Sequence, residues 1–173
     1  KLLYFANPDN PTGSWWNAQT VERLMDGVPA GTLLVLDEAY SDLAPADALP
    51  ALLPFRDNVL RFRTFSKAYG MAGVRVGYVL GPATLIAEFD KVRNHFGVSR
   101  MAQAGAVAAL ADQAYLQSTV GRIVAARQTL SDIARRNGLT PLPSATNFIA
   151  IAYLRMSKLS HLPDHPFSPA SAK

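Results

Sequence analysis

Apolar residues in this chain fall into short continuous runs, with turn-rich clusters and stretches of helical spacing between them. "LLYFA" (2–6) is such a run, halted by "NPDNPTG", whose Asn, Pro, Asp and Gly predict a turn and loop. Val21, Leu24, Met25 and Val28, three and four apart, predict an amphipathic helix over "NAQTVERLMDGV" (17–28). "TLLVLDEAY" (32–40) and "NVLRFRTF" (58–65) predict two further strands. The first of these is apolar without alternation from Leu33 to Leu36, the signature of a parallel strand covered on both faces. A fourth strand is predicted over "VRVGYVLG" (74–81), then helices over "ATLIAEFDKVRN" (83–94), "RMAQAGAVAALAD" (100–112) and "AYLQSTVGRIVAARQTLSDIARRNG" (114–138), the last closed by Asn137 and Gly138. "TPLPSATNFIAI" leads into one more strand. Strands alternating with helices predict an α/β fold with a mainly parallel sheet.

At 173 residues the chain can bury one sizeable core and belongs to one domain, or to one domain and part of another. No apolar run is long enough to span a bilayer and nothing resembles a leader, so a soluble, cytoplasmic protein is expected, and the strand-like start at Lys1 reads as a non-native terminus. With no cysteine, disulfides, thiolate catalysis and cysteine-bound zinc are excluded. The net charge of +4 is spread in ones and twos, as in "RFR" and "ARR"; these arginines are expected to be solvated, and no nucleic-acid partner is predicted. After Ile151 three prolines and two of the three histidines fall in a stretch of little periodicity, and 153–173 is expected to be an atypical, disordered tail.

Ligands of open α/β sheets gather at the C-terminal strand ends, and three polar clusters are predicted there: "NPDNPTG", "DEAY" and "TFSK". Asp37 follows four apolar residues, where a charge is short of water unless a cationic partner is present; a carboxylate that caps the next turn or pairs with an arginine is the plainer alternative. Lys67, Ser66, Thr64 and Arg75, in "TFSKAYGMAGVRVGY", combine an amine with hydroxyls and a cation suited to an anion; turn hydroxyls and a salt-bridge arginine are the plainer alternative. There is no G-x-x-x-x-G-K-[ST], G-x-G-x-x-G or G-x-S-x-G motif, and His95, His161 and His165 lack metal-site spacing.

In their order and spacing, "NPDNPTG", "LDEAY" and "TFSKAYGMAGVRVGY" resemble the large domain of the fold-type I, pyridoxal-phosphate-dependent aminotransferases, from Leu2 to about Ile151. "SKAYGMAGVRVGY" and "KVRNHFGVSRMAQAGAVAAL" look most like the histidinol-phosphate aminotransferase branch. The resemblance implies a three-layer α/β large domain over 1–120, and a linking helix with the start of a small C-terminal domain over 121–152. It also implies pyridoxal 5'-phosphate as cofactor. Lys67 would bond its aldehyde, Asp37 pair with the pyridine nitrogen, and Tyr40 and Asn10 contact the ring oxygen. Thr64, Ser66 and Arg75 would bind the phosphate. An amino donor, a histidinol phosphate-like amine or an aromatic amino acid, and a 2-oxo acid acceptor are implied as substrates of a homodimer.

The family places a phosphate-binding loop, a stacking aromatic residue and dimer contacts upstream of Lys1, and a substrate-carboxylate arginine beyond "TNFIAI". The stretch Lys1 to Lys173 alone is therefore expected to be inactive. Rival readings are a sibling enzyme such as a decarboxylase of a phosphate-containing substrate, the effector domain of a transcriptional regulator, and an inactive remnant.

Overall fold

The computed structural model describes residues 1–152; the expectation of a disordered tail falls on residues outside that range. Four strands, β1 (Leu2–Ala6), β2 (Leu33–Asp37), β3 (Val59–Thr64) and β4 (Gly77–Leu80), form one sheet in the order β1-β2-β3-β4. The first three run parallel and β4 pairs antiparallel with β3, so the sheet is mainly parallel, as the apolar runs imply. Helices α1 (Ala18–Asp26), α2 (Ala83–Phe89), α3 (Arg100–Ala111) and α4 (Gln113–Arg136) complete it, with a separate two-stranded sheet of β5 (Thr140–Pro141) and β6 (Ile151–Ala152).

Register sorts the side chains into two faces, because paired residues point to the same side and neighbours along a strand to opposite sides. Phe5, Leu34, Leu36 and Val59 share one face, and α1 covers it with Val21 and Met25. Leu34 and Leu36 are wholly buried there, each worth about 1.5–3 kcal/mol of transfer free energy. The opposite face carries Tyr4, Ala6, Asp37, Phe62 and Val79 in register, and Phe89 of α2 packs edge-on against Phe62.

Local signals set the helix ends. Asn17 caps α1 by accepting from the Thr20 amide at 2.9 Å, and Ser99 caps α3 through Ala102 at 3.1 Å. Past α4, Gly138 takes φ 70° and Leu139 donates its amide to the Ala134 carbonyl, the stop that Asn137-Gly138 predicts. Several elements are shorter than their patterns. β2 ends at Asp37 because the chain turns into a 3-10 segment at Ser41–Leu43, and α2 ends at Phe89, where its apolar spacing gives way to charged residues.

Candidate active site

Because β1, β2 and β3 are parallel, the loops that follow them emerge at one end of the sheet, and the three polar clusters meet there. The two asparagines of "NPDNPTG" have different tasks. Asn7 is sealed and satisfied, donating to the Trp16 and Ala48 carbonyls and accepting from the Trp16 amide at 2.8 Å, so it shapes the loop. Asn10 is exposed and donates its amide to the Tyr40 hydroxyl at 3.3 Å. Gly13 holds the loop down: at φ +76° its Cα lies so close to Ser144 that a Cβ would stand 2.5 Å from the serine Oγ, and its carbonyl accepts from Ala145.

Tyr40 is the hub of the cluster. Its ring is buried with Leu43, Ala68 and Leu116, Phe148 meets it edge-on at 5.7 Å, and the Lys67 Nζ lies 5.0 Å from its centroid. Lys67 itself stands on a tight turn closed by the Met71 amide on the Phe65 carbonyl, between the buried side chains of Phe65 and Ala68. The amine thus extends from a fixed backbone. Asp37 is half-buried, and among the described residues no arginine pairs with it: Oδ1 accepts from the Ala39 amide at 2.9 Å and Oδ2 from the Tyr4 hydroxyl at 2.5 Å. The Ala39 contact is the turn cap that the sequence allowed, and Tyr4 adds a second neutral donor.

Thr64, Ser66 and Arg75 line one cleft of about 390 Å³ with Phe62, Arg63 and Tyr78. Thr64 Oγ1 accepts from the Ser66 amide at 3.1 Å, which folds the strand end back on itself. Gly77 pairs with Thr64, and a Cβ there would sit 2.7 Å from the Arg63 carbonyl, so only glycine lets β4 approach this closely. Arg75 is exposed and holds a left-handed backbone, φ 56°, a conformation costing about 1–2 kcal/mol for a residue with a Cβ. That conformation turns its guanidinium back onto the Ala72 carbonyl at 2.9 Å, at the mouth of the cleft.

Behind this face lies a sealed charge cluster that corrects the reading of "RFR" as solvated. Glu38 is 1 % exposed and Arg61 3 %. Arg61 donates from Nε at 2.9 Å and again from its Nη2 to Glu38 Oε1, and Arg63 donates from Nε to Oε2 at 2.8 Å. The Arg61 guanidinium also reaches the Pro50 and Ala51 carbonyls. Two arginines two apart on β3 point to the same side, the side to which Glu38 turns. Burial raises the Asp42 carboxyl above its usual range, with the Arg63 charge opposing.

A family model for aminotransferase class I and II matches residues 1–164. The chain belongs to the class I and II aminotransferases. It is 41% identical over 156 residues to the histidinol-phosphate aminotransferase of Geobacillus sp. (strain WCH70), covering 88% of this chain and 43% of that protein. It is also 42% identical over 158 residues to histidinol-phosphate aminotransferase 2 of Pseudomonas aeruginosa, covering 90% and 43%. Among solved structures, histidinol-phosphate aminotransferase from Sinorhizobium meliloti in complex with pyridoxal-5'-phosphate superimposes with a TM-score of 0.85 at 55% identity, over 87% of this chain and 41% of that one. The chain thus spans less than half the length of the curated relatives it matches.

Of the residues singled out in this aminotransferase chain, the structure brings Asn10, Tyr40 and Lys67 together, and Thr64, Ser66 and Arg75 into one cleft, with Asp37 at the adjoining end of β2. Lys67 and Asp37 make no hydrogen bond to each other, and neither lines that cleft. Tyr4, Phe148 and the Glu38 cluster were not legible as site neighbours. For Tyr4 the available signal was a hydroxyl in an otherwise apolar strand; for the cluster it was the i, i+2 spacing of Arg61 and Arg63. Among the described residues no helix is long and apolar enough to cross a membrane.

Proposed function

We propose that this chain is the cofactor-binding part of a pyridoxal 5'-phosphate-dependent aminotransferase of the histidinol-phosphate type, passing an amino group between an amino acid or amine and a 2-oxo acid. The observation that carries the reading is the gathering of Lys67, Tyr40 and Asn10, with Asp37 at the adjoining end of β2 and Thr64, Ser66 and Arg75 in one cleft. The chemistry of this donor set fits the cofactor: an amine for an aldehyde, a carboxylate for a protonated pyridine nitrogen, a phenol and an amide for a ring oxygen, and Thr64, Ser66 and Arg75 for a phosphate. The Sinorhizobium meliloti relative, solved with pyridoxal-5'-phosphate, supports the same choice.

When bound, the protonated pyridine ring supplies a sink for the electron pair left at the substrate's α-carbon. Asp37 holds that positive charge in place with a carboxylate whose two oxygens are oriented by Ala39 and Tyr4. Asn10 and Tyr40, already hydrogen-bonded to each other, present their donors side by side. The Lys67 amine would act as the general base for the substrate's α-proton and hold that proton for return as a general acid. Its contact with the Tyr40 ring, worth about 0.5–1 kcal/mol, limits how far the amine swings. Thr64, Ser66 and Arg75 anchor the phosphate against loss during each half-reaction.

The names of the relatives favour an enzyme over a regulator, and a histidinol phosphate-like donor over an unrelated one. A homodimer, a cytoplasmic location and the division into a large domain over 1–120, a linker and the start of a small domain over 121–152 belong to the same proposal. The test is borohydride reduction of the chain with pyridoxal phosphate, followed by peptide mapping. The cofactor is expected on Lys67 and absent from Lys67→Ala. A label confined to Lys91 or Lys158 would overturn the assignment.

A further inference from the structure

The geometry points to Tyr4 as a positioning residue: its phenol fixes Oδ2 of Asp37, so that the carboxylate is offered in one orientation to the ring nitrogen of a bound pyridine cofactor. This inference rests on the function proposed above. It starts from register. Ala6 of β1 pairs with Asp37 of β2, and Tyr4, two residues earlier on the same face, is the diagonal neighbour of the acid. A diagonal span of this kind is within reach of an aromatic side chain and beyond most others. Tyr4 crosses it, and its hydroxyl donates to Oδ2 at 2.5 Å.

The other oxygen of Asp37 is occupied too, by the Ala39 amide at 2.9 Å. One donor on each oxygen, from two different segments, stops the carboxylate from rotating about its Cβ–Cγ bond. Both donors are neutral, so the negative charge is oriented without being cancelled, and each oxygen keeps a lone pair for a further donor. An arginine in place of Tyr4 would have oriented the group equally well but spent its charge. The phenol also stays a donor over the whole working range: its hydrogen bond to Asp37, then burial and the charges of Asp37 and Asp9, push it up to about 12.

Tyr4→Phe keeps the ring and removes only the hydroxyl, so the fold is retained. Subtracting its tyrosinate absorbance titration from that of the unsubstituted chain isolates one phenol. That phenol is expected to ionise near 12, and nearer to 10 when the same subtraction is made in Asp37→Asn. Pyridoxal phosphate, followed by its own absorbance, is expected to bind Tyr4→Phe roughly tenfold more weakly, the worth of a hydrogen bond to a charged group. In Asp37→Asn the further change Tyr4→Phe is expected to cost much less, because the shared partner is gone. A Lys67 label with unchanged affinity in Tyr4→Phe overturns this inference alone. Absence of any Lys67 label in the unsubstituted chain overturns the functional reading, and this inference falls with it.

Discussion

Asp37 and Glu38 are adjacent acids at the end of the same strand, and the sheet sends them to opposite faces. Glu38 is sealed between Arg61 and Arg63, both of its oxygens taken by guanidinium nitrogens. Asp37 is half-buried and, among the described residues, is hydrogen-bonded by a phenol and an amide. The two environments differ in one physical respect: the first cancels its charge inside the protein, and the second orients a charge while leaving it available. A carboxylate neutralised by its own chain is committed to the fold, because any outside cation would have to displace a buried partner. A carboxylate held by neutral donors can still receive a cation, the role the proposed function gives to Asp37.

Breaking the sealed pair should have the largest effect on stability. Glu38→Gln leaves Arg61 buried without a counter-charge and is expected to cost about 3–5 kcal/mol in urea unfolding; a loss below about 1 kcal/mol would place the cluster in contact with water after all. The open acid should behave in the opposite way. On the proposed function, Asp37→Asn is expected to lower turnover, measured in a protein that supplies the rest of the family's length, by about a hundredfold or more, about 2.7 kcal/mol of transition-state stabilisation, while unfolding shifts little. Equal damage to stability and turnover by both substitutions would erase the distinction between the two acids.

Two smaller effects sharpen it through pH. The Tyr4 phenol ionises near 12 in the folded chain against 10 in the unfolded one, so the fold binds the extra proton between those values. Its contribution is complete below pH 10 and is lost as pH rises toward 12, and unfolding curves of Tyr4→Phe should therefore fall less steeply over that window than those of the parent. Coincident slopes would count against the Tyr4–Asp37 bond. Smallest is Asp42, whose carboxyl is raised above 3.8 by burial. Its folded state favours the proton, so stability is lost as pH rises through the folded value and the charged form is a cost at neutral pH. Asp42→Asn should give a slight gain at pH 7 that vanishes as pH falls to 3.8, seen as converging melting temperatures.

Much of this was open to reading in one dimension. The apolar runs of β1, β2 and β3 and the spacing of α1, α3 and α4 emerge as elements because burial rewards those patterns wherever they pack. The polar clusters after the strands gather because parallel strands must end on the same side. Asn10, Tyr40 and Lys67 come together for the same reason, each standing within a few residues of such an end. Pairings across strands were not. The sequence determined which residues lie at the strand ends and that an amine, an acid, hydroxyls and a guanidinium are among them. Tertiary structure alone decided that Asp37 is met by Tyr4 rather than by an arginine, and that Arg61 and Arg63 are sealed against Glu38 rather than solvated. The physical reason is that periodicity assigns a side chain to a face, whereas register between distant strands decides which neighbour it meets there.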